Sequence, residues 1–220
     1  MKTPLTALLG FIETLNTSAR ADASARERFL EIMEREAQRM NRLVSDLLSL
    51  SQVEAVERMR PNEVVDVSRL LQETATTLAP VAEARGARLH LVNADRLAKM
   101  AGEKDQLRQI FINLIENAIK YGFENSDIIV SIYNNGQGMV KIDVINEGEG
   151  VEEQHLTRLT ERFYRVDKAR SRQIGGTGLG LAIVKHIVNR HRGTLTIESK
   201  LNQTTKFSVN FPLLPSVTFS

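Results

Sequence analysis

Cysteine is absent from the 220 residues, and so is tryptophan. Without thiols there is no disulfide scaffold and no thiolate metal centre, and a reducing compartment is allowed. Aromatic residues make up only 5%. The core must therefore come from Leu, Ile, Val and Ala, which suits helices and a modest sheet. An excess of either charge is also missing: 29 Lys and Arg face 27 Asp and Glu, for a formal net charge of +2. That balance argues against a nucleic-acid protein built on bulk charge. No run approaches the ~18 apolar residues needed to span a bilayer. The opening Met1-Lys2-Thr3-Pro4-Leu5 has no apolar signal segment. The expectation is a soluble, cytoplasmic chain with no nucleic-acid partner and no membrane contact of its own. Hydrophobic residues reach 42%, enough for a packed core.

Two textures divide the chain. Residues 1–57 read as helix throughout. Leu5, Leu8, Ile12 and Leu15 recur at helical steps, and Asn16-Thr17-Ser18 breaks the run. A second helix is predicted to open at Ser24-Ala-Arg-Glu27, a capping-box pattern. It continues with Phe29, Met33, Met40, Leu43, Leu47 and Leu50 at heptad spacing, Glu36 being the one polar member and Val44 and Leu48 widening the stripe. Two such helices form an antiparallel hairpin with a broad apolar face. Pairing two copies into a four-helix bundle covers that face, so a homodimer is expected.

Residues 58–66 read as a linker, and 67–213 alternate short strands with helices. Strands are predicted at 64–67, 88–92, 128–133, 139–145, 194–198 and 206–211. Helices are predicted at 68–85, 103–121 and 177–191, with Pro80 kinking or shortening the first. Asn134-Asn135-Gly136 marks a hairpin between two strands. Residues 146–174 read as loop and 214–220 as a tail. The result is an α+β domain, a mostly antiparallel sheet with helices on one face.

The residues that carry chemistry lie in this second part. Gly175-Gly176-Thr177-Gly178-Leu179-Gly180-Leu181 places four glycines directly before an amphipathic helix. The backbone there can approach a ligand closely, and the helix N-terminus attracts phosphate. It is not a Walker loop, because Leu181-Ala182 stand where Lys and Ser or Thr are required. Asn113, Asn117 and Lys120 fall on one face of a helix at i, i+4 and i+7. Beside a phosphate loop, two amides and an ammonium suit a Mg²⁺–triphosphate, since Mg²⁺ takes few protein oxygens and completes its shell with phosphate and water. Two further segments stand between these: Val144-Ile-Asn146-Glu-Gly148-Glu-Gly150-Val151 and Glu161-Arg-Phe163-Tyr164-Arg165.

In this order the four segments resemble the N, G1, F and G2 boxes of the sensor histidine kinases, whose nucleotide fold is shared with gyrase, Hsp90 and MutL. Residues 161–195 look most like the phosphate-regulon sensor kinases of the PhoR type. Lys2-Thr3-Pro4-Leu5-Thr6 is similar to the end of the family's H box, His-Glu-Leu-Lys-Thr-Pro-Leu. The resemblance implies a dimerisation and phosphotransfer hairpin at 1–57 and an ATP-binding α+β sandwich at 67–213. It implies ATP and Mg²⁺ as ligands and a response-regulator receiver domain as partner. By position, Asn117 looks like the Mg²⁺ ligand. Asn113 stands where hydrolysing relatives carry a glutamate base, so water is poorly activated and ATP is kept for a protein nucleophile. Lys120 and Tyr121 would contact the phosphates and the ribose side. Asn146 would meet the adenine, and Gly148 and Gly150 would be nucleotide-binding residues beside it. Arg165 and Arg170 resemble lid residues that steady the γ-phosphate, the lid being roughly 149–175. Gly176, Thr177, Gly178, Leu179, Gly180 and Leu181 would close over the nucleotide. Thr3 stands where the family orients water during response-regulator dephosphorylation.

Three departures qualify that picture. Met1 occupies the third H-box position, so the acceptor histidine and its acidic neighbour are not among the 220 residues. His90, His155, His186 and His191 are elsewhere. The chain is expected to begin inside a longer gene product, and self-phosphorylation is not expected of it as given. A degenerate module that docks a response regulator without phosphorylating is the alternative. Asn146 replaces the family's G1 aspartate, whose charge-assisted bond to adenine would be weakened by ~1–2 kcal/mol, roughly ten-fold in affinity. Asn202-Gln-Thr204-Thr-Lys-Phe207 stands where two glycines are usual, which puts a tight turn in question.

Overall fold

The computed structural model describes residues 4–17, 22–93, 98–134, 138–167 and 175–214. Thr3, Arg170 and the Asn135-Gly136 turn lie outside the described residues, as do the side chains of Leu5 and Leu8. Helix α1 spans Pro4–Asn16 and α2 Ala23–Val56. They pack together, with the rings of Phe11 and Phe29 5.6 Å apart. Asp22, not Ser24, caps α2. Its carboxylate accepts from the backbone N–H of Ser24 and Ala25, both at 3.0 Å, and a carboxylate suits a helix N-terminus better than a hydroxyl.

A small antiparallel ribbon pairs β1 (Glu63–Asp66) with β3 (Lys99–Gly102). Strand β3 was not predicted, because Lys-Met-Ala-Gly carries neither β-branched nor aromatic residues. Between them come α3 (Val67–Glu83), capped by Asp66, and β2 (Arg88–Val92). Pro80 sits in the last turn of α3, and the helix ends two residues before the predicted limit. Helix α4 spans Lys104–Tyr121, followed by β4 (Asp127–Asn134) and β5 (Met139–Glu147). One short turn of helix, α5 (Glu153–Leu156), interrupts the expected loop. Helix α6 (Gly180–Arg190) starts three residues later than predicted, since Gly178 has φ +76° and cannot be helical. Strands β6 (Thr194–Ser199) and β7 (Thr204–Pro212) finish the fold.

The main sheet has the order β2-β4-β5-β7-β6, and only the β2–β4 pair is parallel. Along β5, Val140, Ile142 and Val144 are buried under the helices. Helix α4 answers with Leu107, Ile110, Phe111, Leu114, Ile115 and Ala118, all fully buried at helical spacing. That leaves Asn113, Asn117 and Lys120 on the opposite flank of α4, towards α6. The questioned β6–β7 turn does form. Asn202 takes φ +55°, the left-handed position a glycine would fill, and asparagine tolerates it better than most residues.

The hairpin does not stand clear of this sandwich. Leu50 and Val53 of α2 are buried in the shared core, and α2 packs on α6. Ser49 and Gln109 hydrogen-bond across the contact at 2.7–3.0 Å. His186 lies between Glu54 (3.2 Å) and Glu57 (3.1 Å), and Arg162 also pairs with Glu54.

Candidate functional site

A cavity of about 270 Å³ opens between α4, the start of α6, the segment after β5 and the flank of α2. Of the predicted residues, Asn113, Asn117, Lys120, Tyr121, Asn146, Gly150, Arg165, Gly176, Thr177, Gly178, Gly180 and Leu181 line it. Two others do not. Leu179 is fully buried in the core beneath the glycine loop. Gly148 forms a bridge with Gly122, and a Cβ there would meet the Tyr121 carbonyl at 2.5 Å. Both shape the wall from behind.

The glycine loop is positioned by its contacts with the lid side. A Cβ on Gly178 would fall 3.0 Å from Cα of Phe163, and on Gly180 3.1 Å from Oδ1 of Asn113. The loop therefore lies directly against the lid backbone and against the amide face of α4. Arg165 donates to the Gly176 carbonyl. Thr177 accepts from the Leu179 N–H at 3.3 Å, shaping the entry to α6. Tyr164 closes the opposite wall; its hydroxyl meets His155 Nδ1 at 2.6 Å, and Arg158 stacks 4.2 Å over its ring.

The polar groups gather on one side of the cavity, along α4 and at the end of β5. Asn113 Nδ2 is buried with no hydrogen-bond partner among the described residues, which is costly unless something else accepts from it. Lys120 pairs with Glu116 one turn back. Asn146 is 2% exposed at the floor, and its Nδ2 donates to the Glu147 carbonyl at 3.3 Å. That leaves Oδ1 as its acceptor for an incoming amino group. Among the described residues no group of three His, Cys, Asp or Glu could hold a metal. A divalent cation here would lean on Asn117 and on oxygens brought by the ligand, the mode Mg²⁺ favours. A buried amide seeking an acceptor, a glycine cradle and free asparagine oxygens fit a Mg²⁺–nucleotide.

Residues beyond the expected ones also line the site. Glu116 was legible as an i,i+4 partner of Lys120. Arg42 and Asp46 of α2 were not, since charges flanking a heptad stripe usually face solvent. Thr177 Oγ1 donates to Asp46 Oδ2 at 2.6 Å, and Arg42 lies over Gly175. Burial pushes the Asp46 carboxyl above its ordinary value, with Thr177 and Lys120 partly opposing.

Two family models match the chain. The Histidine kinase-, DNA gyrase B-, and HSP90-like ATPase covers residues 81–215, and the His Kinase A (phospho-acceptor) domain residues 1–56. The chain belongs to the histidine kinase family. It is 38% identical, over 96% of its length, to the phosphate regulon sensor protein PhoR of Pseudomonas aeruginosa. To the sensor-like histidine kinase SenX3 of Mycolicibacterium smegmatis it is 34% identical over 98%. It covers 47% and 55% of those two proteins, so it spans about half their length. Among solved structures, full-length ShkA in complex with AMPPNP is 25% identical with a TM-score of 0.73, over 99% of this chain and 44% of that one. ThkA in complex with the response regulator TrrA is 21% identical with a TM-score of 0.76, over 98% and 59%, a likeness of fold. No helix among the described residues is long and apolar enough to cross a membrane.

Proposed function

We propose that this chain is the catalytic core of a two-component sensor kinase. It binds Mg²⁺–ATP in the cavity and directs the γ-phosphoryl to a histidine, from which it passes to a response-regulator aspartate. The observation that carries this reading is the Asn113, Asn117 and Lys120 face of α4 set against the glycine loop in one cavity. Asn117 would hold the Mg²⁺, which supplies charge neutralisation at the phosphates. Lys120 and the loop Gly176–Gly180 would position the phosphates, Tyr121 the ribose side, and Asn146 the adenine. With no carboxylate base at position 113, water is poorly activated and the phosphoryl group is kept for the protein acceptor. Arg165 anchors the lid to the loop; Arg170 and Thr3 keep the roles their positions imply, at the γ-phosphate and in dephosphorylation.

Homodimerisation belongs to the same reading. Leu9, Leu30, Val44, Leu47 and Leu48 leave an apolar stripe exposed on the hairpin, which a second copy would cover. The division we propose is a hairpin at 1–57, a linker at 58–66 whose last four residues form β1 against β3, an ATP-binding unit at 67–213 and a tail at 214–220. The 220 residues hold no histidine at the acceptor position, so tested alone they are not expected to label themselves. Asn146 favours a second reading, a non-phosphorylating module that docks a response regulator.

Calorimetric titration with Mg²⁺–ATP separates the two. We expect a dissociation constant of roughly tens of micromolar, lost in Asn117→Ala. No binding at millimolar nucleotide would leave only the docking module.

A further inference from the structure

Among the described residues, three cationic side chains line the cavity, Arg42, Lys120 and Arg165, and so do four carboxylates, Asp46, Glu116, Glu149 and Asp167. Glu116, Glu149 and Asp167 belong to the elements that build the cavity. Asp46 alone among them belongs to α2. It also holds a donor that a phosphate would want, the Thr177 hydroxyl in the middle of the glycine loop. Lys120, the nearest ammonium, is shared between Glu116 and the field of Asp46.

We propose that Asp46 is a built-in competitor of the nucleotide phosphates. In the docked arrangement its carboxylate occupies Thr177 and clasps α2 to the glycine loop; phosphates displace it and loosen α2. This rests on the nucleotide reading of the cavity. The docked state is releasable because the carboxylate is held half-desolvated beside Glu116, a cost only partly offset by Thr177 and Lys120. The rest of the contact, Leu50, Val53 and the Glu54–Arg162 pair, does not line the cavity and provides the restoring force. Coupling of this kind is reciprocal: the factor by which bound nucleotide weakens docking is the factor by which docking weakens nucleotide binding.

The test compares the full chain with Asp46→Asn, which keeps the shape and an acceptor for Thr177 but removes the charge. Calorimetry with Mg²⁺–ATP and Mg²⁺–ADP is paired with amide hydrogen exchange across residues 43–57. Asp46→Asn is expected to tighten ATP roughly five- to ten-fold and ADP by less. ATP should speed exchange in 43–57 of the parent chain. Unchanged or weaker ATP binding by the variant overturns the proposal, weaker binding being the mark of a carboxylate that ligates Mg²⁺ instead. Equal tightening of ATP and ADP also overturns it, since a merely loosened helix would do that. If neither chain binds nucleotide, the reading of the cavity falls and takes this inference with it. If the parent binds and the variant is no tighter, this inference alone falls.

Discussion

The backbone N–H of Phe163 donates to the carbonyl of Gly178 at 2.8 Å, so lid and glycine loop are joined main chain to main chain. Both residues have positive φ, +61° and +76°. Phe163 is 55% exposed, so packing of its side chain is not what holds the strained backbone; the hydrogen bond to Gly178 is part of what does.

Gly178→Ala tests that joint. The new Cβ would meet Phe163 Cα at 3.0 Å and its carbonyl carbon at 3.1 Å, on a backbone L-residues rarely adopt. We expect a loss of about 1–3 kcal/mol, read as a melting-temperature drop of roughly 2–8 °C. Nucleotide affinity should fall with it, because the loop must move away from the lid. A variant with unchanged melting and unchanged ATP titration would show that the joint is not stressed.

Asn146→Asp should move affinity and stability in opposite directions. A carboxylate at the cavity floor would accept the adenine amino group with charge, tightening ATP roughly ten-fold. Without ligand the same carboxylate is buried, loses the bond that Nδ2 makes to the Glu147 carbonyl, and sits near that oxygen. The unliganded variant should lose about 1–3 kcal/mol by chemical denaturation. No change in ATP affinity would mean that position 146 does not read the base, and a gain in unliganded stability would mean that the carboxylate finds a partner there.

Most of the sandwich could be read directly from the pattern. The alternation Val140, Ile142, Val144 and the helical repeat Leu107 to Ala118 each bury one face, so period alone places the sheet against α4. The amide face of α4 followed as the side left over. What could not be read came from partners distant in sequence. Nothing local to Lys99–Gly102 signals a strand; it is one because β1 offers an edge. Asp22 displaced Ser24 as a cap through the stronger acceptor. Arg42 and Asp46 look like ordinary solvated charges on a heptad flank, and only the docking of α2 through Leu50 and Val53 brings them into the cavity.

Asn202 shows how a missing glycine is replaced. Its left-handed backbone is fixed by the N–H donating to the Glu149 carbonyl at 2.8 Å, which also ties the β6–β7 turn to the segment beside the cavity. Asn202→Gly should change stability by no more than a few tenths of a kcal/mol. Asn202→Val, with a branched Cβ in the same conformation, should cost about 1–3 kcal/mol. Equal melting temperatures for the two variants would show that the turn relaxes to another form.

His191 predicts a pH dependence of its own. It is 3% exposed at the end of α6. Its Nε2 accepts from the Glu103 N–H at 3.0 Å, so the proton must sit on Nδ1, which donates to the Ile187 carbonyl at 2.8 Å. A second proton would break the Glu103 bond and place a buried cation beside Arg190. Burial accordingly holds the ring below its ordinary value of 6.5, the Ile187 carbonyl only partly opposing. A histidine whose folded value is depressed contributes stability that is full above about 6.5 and is lost as pH falls from there towards the folded value, because the unfolded chain takes up the proton first. His191→Gln keeps an acceptor for Glu103 but cannot titrate. Melting temperatures taken from pH 7.5 to 5.5 should fall more steeply for the parent than for the variant. Parallel curves would mean that the ring is protonated equally in both states and that the bond to Glu103 does not depend on its neutrality.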